Sequence, residues 1–226
     1  MDCLRPTGRG GSVKIWPNMI QQSEEWILAR KGRVTASNAD RIITPTGKDS
    51  SQWDAYAIEL TAECIRPDEL PSFMGNVHTD RGNELEAEAR AEFARIMGLT
   101  VTEVGFVTNE SRYKGVVGCS PDGLIYRDGV LVAGLELKCP LAKHHAAYMI
   151  EGGIPKSYVP QVHFSMAALG IPWYFASYCQ GMAPHIALCE PDAYTEKMAD
   201  AVERFVIYYG ERRKQIMPML LGKEAA

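Results

Sequence analysis

The segment Val130-Leu131-Val132-Ala133-Gly134-Leu135-Glu136-Leu137-Lys138 is apolar at nearly every position, and Cys139 extends the run. A strand with one wet face alternates apolar with polar side chains, whereas a strand covered on both faces reads as an almost unbroken apolar run. The segment therefore predicts a buried central strand. Glu136 and Lys138 break the pattern two residues apart, so both side chains leave one face of the strand while Leu137 faces the core on the other. Charge in such surroundings is costly unless it meets a metal or an opposite charge. In a polar strand the same Glu-x-Lys spacing reads as a surface ion pair; the apolar run argues against that here.

Immediately upstream, Arg127-Asp128-Gly129 supplies the Asp-Gly turn of a hairpin whose first arm is residues 123–126. Asp122 precedes that arm, directly after the tight Ser120-Pro121 step. Pairing of the two arms brings Asp122 alongside Glu136. Two carboxylates and the backbone carbonyl of Leu137 at one sheet edge make an all-oxygen set that suits Mg²⁺, with Mn²⁺ as a substitute. A cation held there polarises a phosphate and lowers the pKa of a bound water, the needs of phosphodiester hydrolysis. Lys138 beside it is suited to orient or deprotonate that water, or to neutralise charge on the phosphorane. Proton removal by Lys138 implies better activity at mildly alkaline pH.

Around this centre the pattern is α/β (α+β): helices flanking a central mixed β-sheet. Helical spacing or capping marks residues 23–31, 35–43, 52–66, 79–97, 140–151, 157–169 and 193–216. In the helix over 79–97 the face Leu85, Ala89, Phe93 and Ile96 is the apolar one. Strands are expected over 99–109, 116–119, 123–126, 130–138, 173–179 and 186–189. Residues 1–12 lack an apolar signal core and read as a flexible tail, leaving residues 13–226 as a single domain.

The 226 residues are 46% hydrophobic and 23% charged, ordinary for a globular protein, with no apolar run long enough for a membrane span. Six cysteines fall in no zinc-type spacing, which is the usage of reduced thiols in a cytoplasmic protein. A net charge of −4 runs against the basic character of nucleic-acid binders, yet affinity follows the phosphates contacted rather than total charge. No Gly-rich P-loop occurs, His144 and His145 diverge on a helix, and His78 and His185 have no partner at ligand spacing.

Five ordered blocks carry a resemblance. They are Trp26-Ile27-Leu28-Ala29-Arg30 with Val34-Thr35-Ala36-Ser37, residues 82–86, residues 119–124, residues 134–140, and Tyr158-Val159-Pro160-Gln161-Val162. In this order they resemble the lambda-type phage exonucleases, the YqaJ-like viral recombinase family within the restriction-endonuclease-like superfamily. The resemblance implies a restriction-endonuclease-like core and a Mg²⁺-dependent 5′-to-3′ exonuclease acting on linear double-stranded DNA ends. Such an enzyme releases mononucleotides and leaves a 3′ tail for a single-strand annealing recombinase. It also implies a homotrimer ring and a phage or prophage protein at work in a bacterial cytoplasm.

Residue by residue, Asp122 and Glu136 resemble the metal ligands, joined by the Leu137 carbonyl, and Lys138 the catalytic lysine. Glu86 resembles a helix-borne acid that holds metal-bound water. Arg30, Ser37, Ser120 and Gln161 resemble the residues that hold the terminal 5′-phosphate. An arginine suits bidentate phosphate contact and Ser37 stands at a helix start, where anions bind or a plain cap suffices. His163 departs from the family pattern, which has a glutamine there, and its role stays open. Arg127 at the hairpin tip reads as part of a solvated turn. The alternatives are a related nuclease with endonuclease, flap or junction specificity, and a non-catalytic DNA-end adaptor.

Overall fold

The structure, a computed structural model, describes residues 12–69 and 77–222, with residues 77–84 described in backbone only. The expected tail, apart from Ser12, therefore lies outside the described residues, as do the side chains of His78 and of residues 82–84 in the second block.

The chain is mixed α/β, as its pattern predicts, but its strands form two sheets rather than one. The first holds β1 (Val13–Trp16), β2 (Val34–Thr35), β4 (Phe106–Asn109) and β5 (Val117–Cys119) in the order β1-β4-β5-β2. The second holds β3 (Val101–Thr102), β6 (Gly123–Arg127), β7 (Val130–Lys138), β8 (Trp173–Ser177) and β9 (His185–Cys189) in the order β3-β6-β7-β8-β9. β7 is central, antiparallel to β6 and parallel to β8, as its unbroken apolar run requires. Asp128 at φ +52° and Gly129 at φ +77° form the hairpin turn expected of Asp-Gly, and Arg127 beside them is exposed.

Residues 99–109, expected as one strand, are β3 and β4 in different sheets. Gly105 marks the crossing: a Cβ there would lie 2.2 Å from the Met19 carbonyl oxygen, so only glycine permits the approach. β1 was missed because its short run carries Lys14 and ends on Pro17, leaving little alternation to read.

Helices cover both faces. α1 (Glu24–Arg30) buries no residue fully, while a 3₁₀ segment (Ala36–Arg41), α2 (Trp53–Ile65), α5 (Val159–Leu169) and α6 (Ala193–Leu220) share one core with Leu124, Trp173 and Phe175. α3 (Val77–Met97) covers the opposite face of the second sheet through Ala89 and Phe93 against Ile125, Leu135, Leu137 and Tyr174. Each fully buried Leu or Phe in these cores contributes roughly 1.5–3 kcal/mol. The buried stripe of α3 is rotated from the expected one: Met97 packs against this core while Ile96 is 43% exposed. That rotation sets Glu86 and Arg90 beside the stripe, over the start of β6. α4 (Ala142–Glu151) completes the second sheet's cover near β9.

Candidate active site

The chain crosses from the first sheet to the second through Ser120-Pro121-Asp122, the three residues between β5 and β6. The crossing from β3 to β4, near Gly105, lies beside it. Gln21 straps the two together, its amide nitrogen donating to the carbonyls of Val104 at 3.1 Å and Pro121 at 3.0 Å. Every predicted site residue except Glu86 and Leu137 lines one cavity of about 170 Å³ at this seam, among them Arg30, Ser37, Ser120, Asp122, Glu136, Lys138 and Gln161.

Asp122 meets β7 as pairing predicts. Gly123 pairs with Leu135, the Asp122 N–H donates to the Leu135 carbonyl at 3.0 Å, and the Leu137 N–H donates to Asp122 Oδ2 at 2.6 Å. Backbone groups two apart in a strand point to the same edge, so the Leu137 carbonyl also faces the Asp122 side, where β6 has ended. Glu136 is 2% exposed; Lys138 donates to its Oε1, as does the Gln161 amide at 2.6 Å. Gln161 thus contacts the Glu136 carboxylate rather than the Arg30 group.

Burial pushes the Glu136 carboxyl up to about 7, and the neighbouring Asp122 charge adds to this against the pull of Lys138. Burial raises Asp122 as well. Burial alone would lower the Lys138 ammonium, but the Glu136 and Asp122 carboxylates outweigh it and hold it above its ordinary value. Lys138 is therefore held as an ion-paired ammonium.

Among the described residues no cluster of three His, Cys, Asp or Glu side chains gathers at metal-binding distance. The oxygen set is two carboxylates and a carbonyl, which fits Mg²⁺, an ion that keeps several of its waters. Glu86 does not line the cavity. It pairs with Arg90 at 2.5 Å, and Arg90 also donates to the Asp122 carbonyl at 2.9 Å and to Glu103 at 2.8 Å. Burial, then the Asp122 charge, raises Glu86. Arg90 was missed in the sequence, although its (i, i+4) spacing from Glu86 marks a helical pair.

Arg30, Ser37 and Ser120 come together as a second group. Arg30 donates to Ser120 Oγ at 3.0 Å and to Ser37 Oγ at 2.8 Å, and its guanidinium lies 4.2 Å from the Trp26 ring centre. Arg30 makes no ion pair among the described residues, and burial lowers its pKa. Ser37 is the second residue of the short 3₁₀ segment, whose cap is Thr35, so it is not an N-cap.

His145 and His163 are buried and make structural contacts. His145 is buried between Ser177 Oγ at 2.7 Å and the Ala183 carbonyl at 2.9 Å, while its neighbour His144 is exposed. His163 joins α5 to the start of α6, with Nδ1 2.8 Å from Thr195 Oγ1 and 3.4 Å from the capping Asp192. Its distance of 3.5 Å to Cys189 Sγ completes that joint.

Comparison with known proteins follows the same lines. Residues 25–171 match the YqaJ-like viral recombinase domain. An alkaline exonuclease (LHK-Exo) from Laribacter hongkongensis is 27% identical with a TM-score of 0.74, over 88% of this chain and 99% of that one. The structure of LHK-Exo in complex with dAMP matches at 27% identity, TM-score 0.73, over the same shares of 88% and 99%. A phage related exonuclease from Haemophilus somnus 129PT shares the fold, at 15% identity and TM-score 0.55 over 83% of this chain and 96% of that one. No curated protein matches the chain. With the domain spanning more than half of its 226 residues, the chain belongs to the YqaJ-like viral recombinase family.

Proposed function

We propose that this protein is a Mg²⁺-dependent exonuclease that digests one strand of linear double-stranded DNA, 5′ to 3′, from a 5′-phosphorylated end. It releases mononucleotides and leaves a 3′ tail for a single-strand annealing recombinase, working as a homotrimer ring. The family, the alkaline exonuclease activity named for LHK-Exo and that enzyme's complex with dAMP support a nuclease acting on DNA. The observation that carries the end specificity is Arg30. It has neutral hydroxyls for hydrogen-bond partners and no carboxylate among the described residues, yet it shares a cavity with Asp122, Glu136 and Lys138. A desolvated guanidinium with spare N–H donors calls for an anion, and a bidentate phosphate contact is what its fork suits.

Asp122, Glu136 and the Leu137 carbonyl would hold Mg²⁺, which when bound supplies charge for the phosphate and an acidified water. Lys138, as an ammonium, neutralises charge on the phosphorane and favours the ionised form of Glu136 against its burial. Glu86 positions water from α3, and Ser37, Ser120 and Arg30 hold the terminal phosphate. The acidic total charge is compatible with this, because only the cations facing phosphate contribute to binding.

Lys138→Ala is expected to lower kcat by at least about 100-fold, the scale of one lost electrostatic contact, while duplex binding in Ca²⁺ persists. Retained cleavage in that variant moves the active site elsewhere. A wild-type protein that binds DNA ends without cleaving them is the non-catalytic adaptor instead.

A further inference from the structure

The Ser120 hydroxyl has two acceptor lone pairs and one proton. Both lone pairs are taken: Trp26 Nε1 donates to Oγ at 2.9 Å and Arg30 Nη1 donates to it at 3.0 Å. The proton of Ser120 is then the one part of the hydroxyl left to make a bond, and no acceptor among the described residues takes it. Ser120 lines the 170 Å³ cavity shared with Arg30 and Ser37, so that proton is available to an anion there.

Trp26 acts on the other members as well. Its indole N–H is shared with the Gly105 carbonyl at 3.0 Å, which ties the ring to the crossing between the sheets. Its ring stacks on the Arg30 guanidinium, and Phe106 lies 5.8 Å from the same group. An aromatic ring beside a desolvated guanidinium favours the charged form and fixes the plane of its fork.

We propose that Trp26 is the positioning residue that sets the preference for a 5′-phosphate. Its N–H commits Ser120 to donating and its ring orients Arg30. This rests on the phosphate-pocket reading above and adds a residue to it. Trp26 does not touch the reacting atoms; it acts through Ser120 and Arg30.

The test is the ratio of digestion rates on 5′-phosphorylated and dephosphorylated duplex ends, with Trp26→Phe, Trp26→Leu, Ser120→Ala and the Trp26→Phe/Ser120→Ala double variant. Trp26→Phe keeps a stacking ring and loses the N–H, and the ratio is expected to fall about three- to ten-fold, the scale of one hydrogen bond. Trp26→Leu loses both and the ratio falls further. In the Ser120→Ala background, Trp26→Phe produces no additional fall, because its effect runs through the hydroxyl. Additive losses in the double variant, or a Trp26→Phe ratio equal to wild type, overturn the proposal. A merely structural tryptophan lowers both rates together with the melting temperature and leaves the ratio in place, which also overturns it. If wild type itself shows no preference, the phosphate pocket is what fails.

Discussion

At the scale of single residues, the site is a balance of buried charge. Glu136 rises to about 7 and Asp122 is raised as well, both through burial first. An acid whose folded pKa lies above its unfolded value carries a penalty that is absent below the unfolded value, grows between the two, and is complete above the folded one. For Glu136 the window runs from its ordinary 4.5 to about 7, so the metal-free protein is less stable at pH 8 than at pH 5 from this source. Asp122→Asn removes one charge while an amide oxygen still accepts the Leu137 N–H. Without metal at pH 8, this variant is expected to melt a few degrees above wild type, at roughly 2–4 °C per kcal/mol for a chain of this size. Its cleavage should be lost. Thermal unfolding in EDTA checks this, and an equal or lower melting temperature would show that the carboxylate pair carries no such penalty. The pair was legible in the sequence because charges in an apolar run have few inexpensive explanations. Arg90 and Gln21 were not, since each acts on a backbone carbonyl that only the fold brings near.

At the scale of elements, β7 and its neighbours hold the geometry. Gly134 pairs with Trp173 on β8, and a Cβ at Gly134 would lie 2.3–2.4 Å from three carbons of the Trp173 ring. Trp173 is fully buried, so it has no empty space to retreat into. Gly134→Ala should therefore destabilise by roughly 1–3 kcal/mol, the range for overpacking a filled core. Chemical denaturation measures it, and a change below about 0.5 kcal/mol would mean that β8 shifts freely. The same elements show what sequence pattern can carry. The length and burial of β7, the hairpin and the long helices follow from local periodicity and turn chemistry. The division into two sheets does not, because a strand pattern records which face is apolar and says nothing about which sheet receives it. Residues 99–109 kept their apolar character across the break, and Gly105 was the one local sign of it.

At the scale of the whole molecule, the proposed function makes proton and cation compete for one site. Glu136 must lose its proton before its carboxylate can hold Mg²⁺, so cation affinity should weaken as pH falls through about 7 and binding should release protons. Calorimetry in two buffers of different ionisation enthalpy reads that release directly; identical heats would contradict it. The seam between the two sheets also joins the proposed metal site and the proposed phosphate pocket through a single three-residue link, Ser120-Pro121-Asp122. On the proposed function, that link would fix the position of the chain end relative to the scissile bond. The most direct test is digestion of a duplex labelled at either end, with Mg²⁺, comparing 5′-phosphorylated with dephosphorylated ends. Early release of 5′-label as mononucleotide, strongly slowed by removing the phosphate, is the predicted result. Release of 3′-label first, internal cleavage, or equal rates on the two kinds of end would contradict an enzyme that works from a 5′-phosphate.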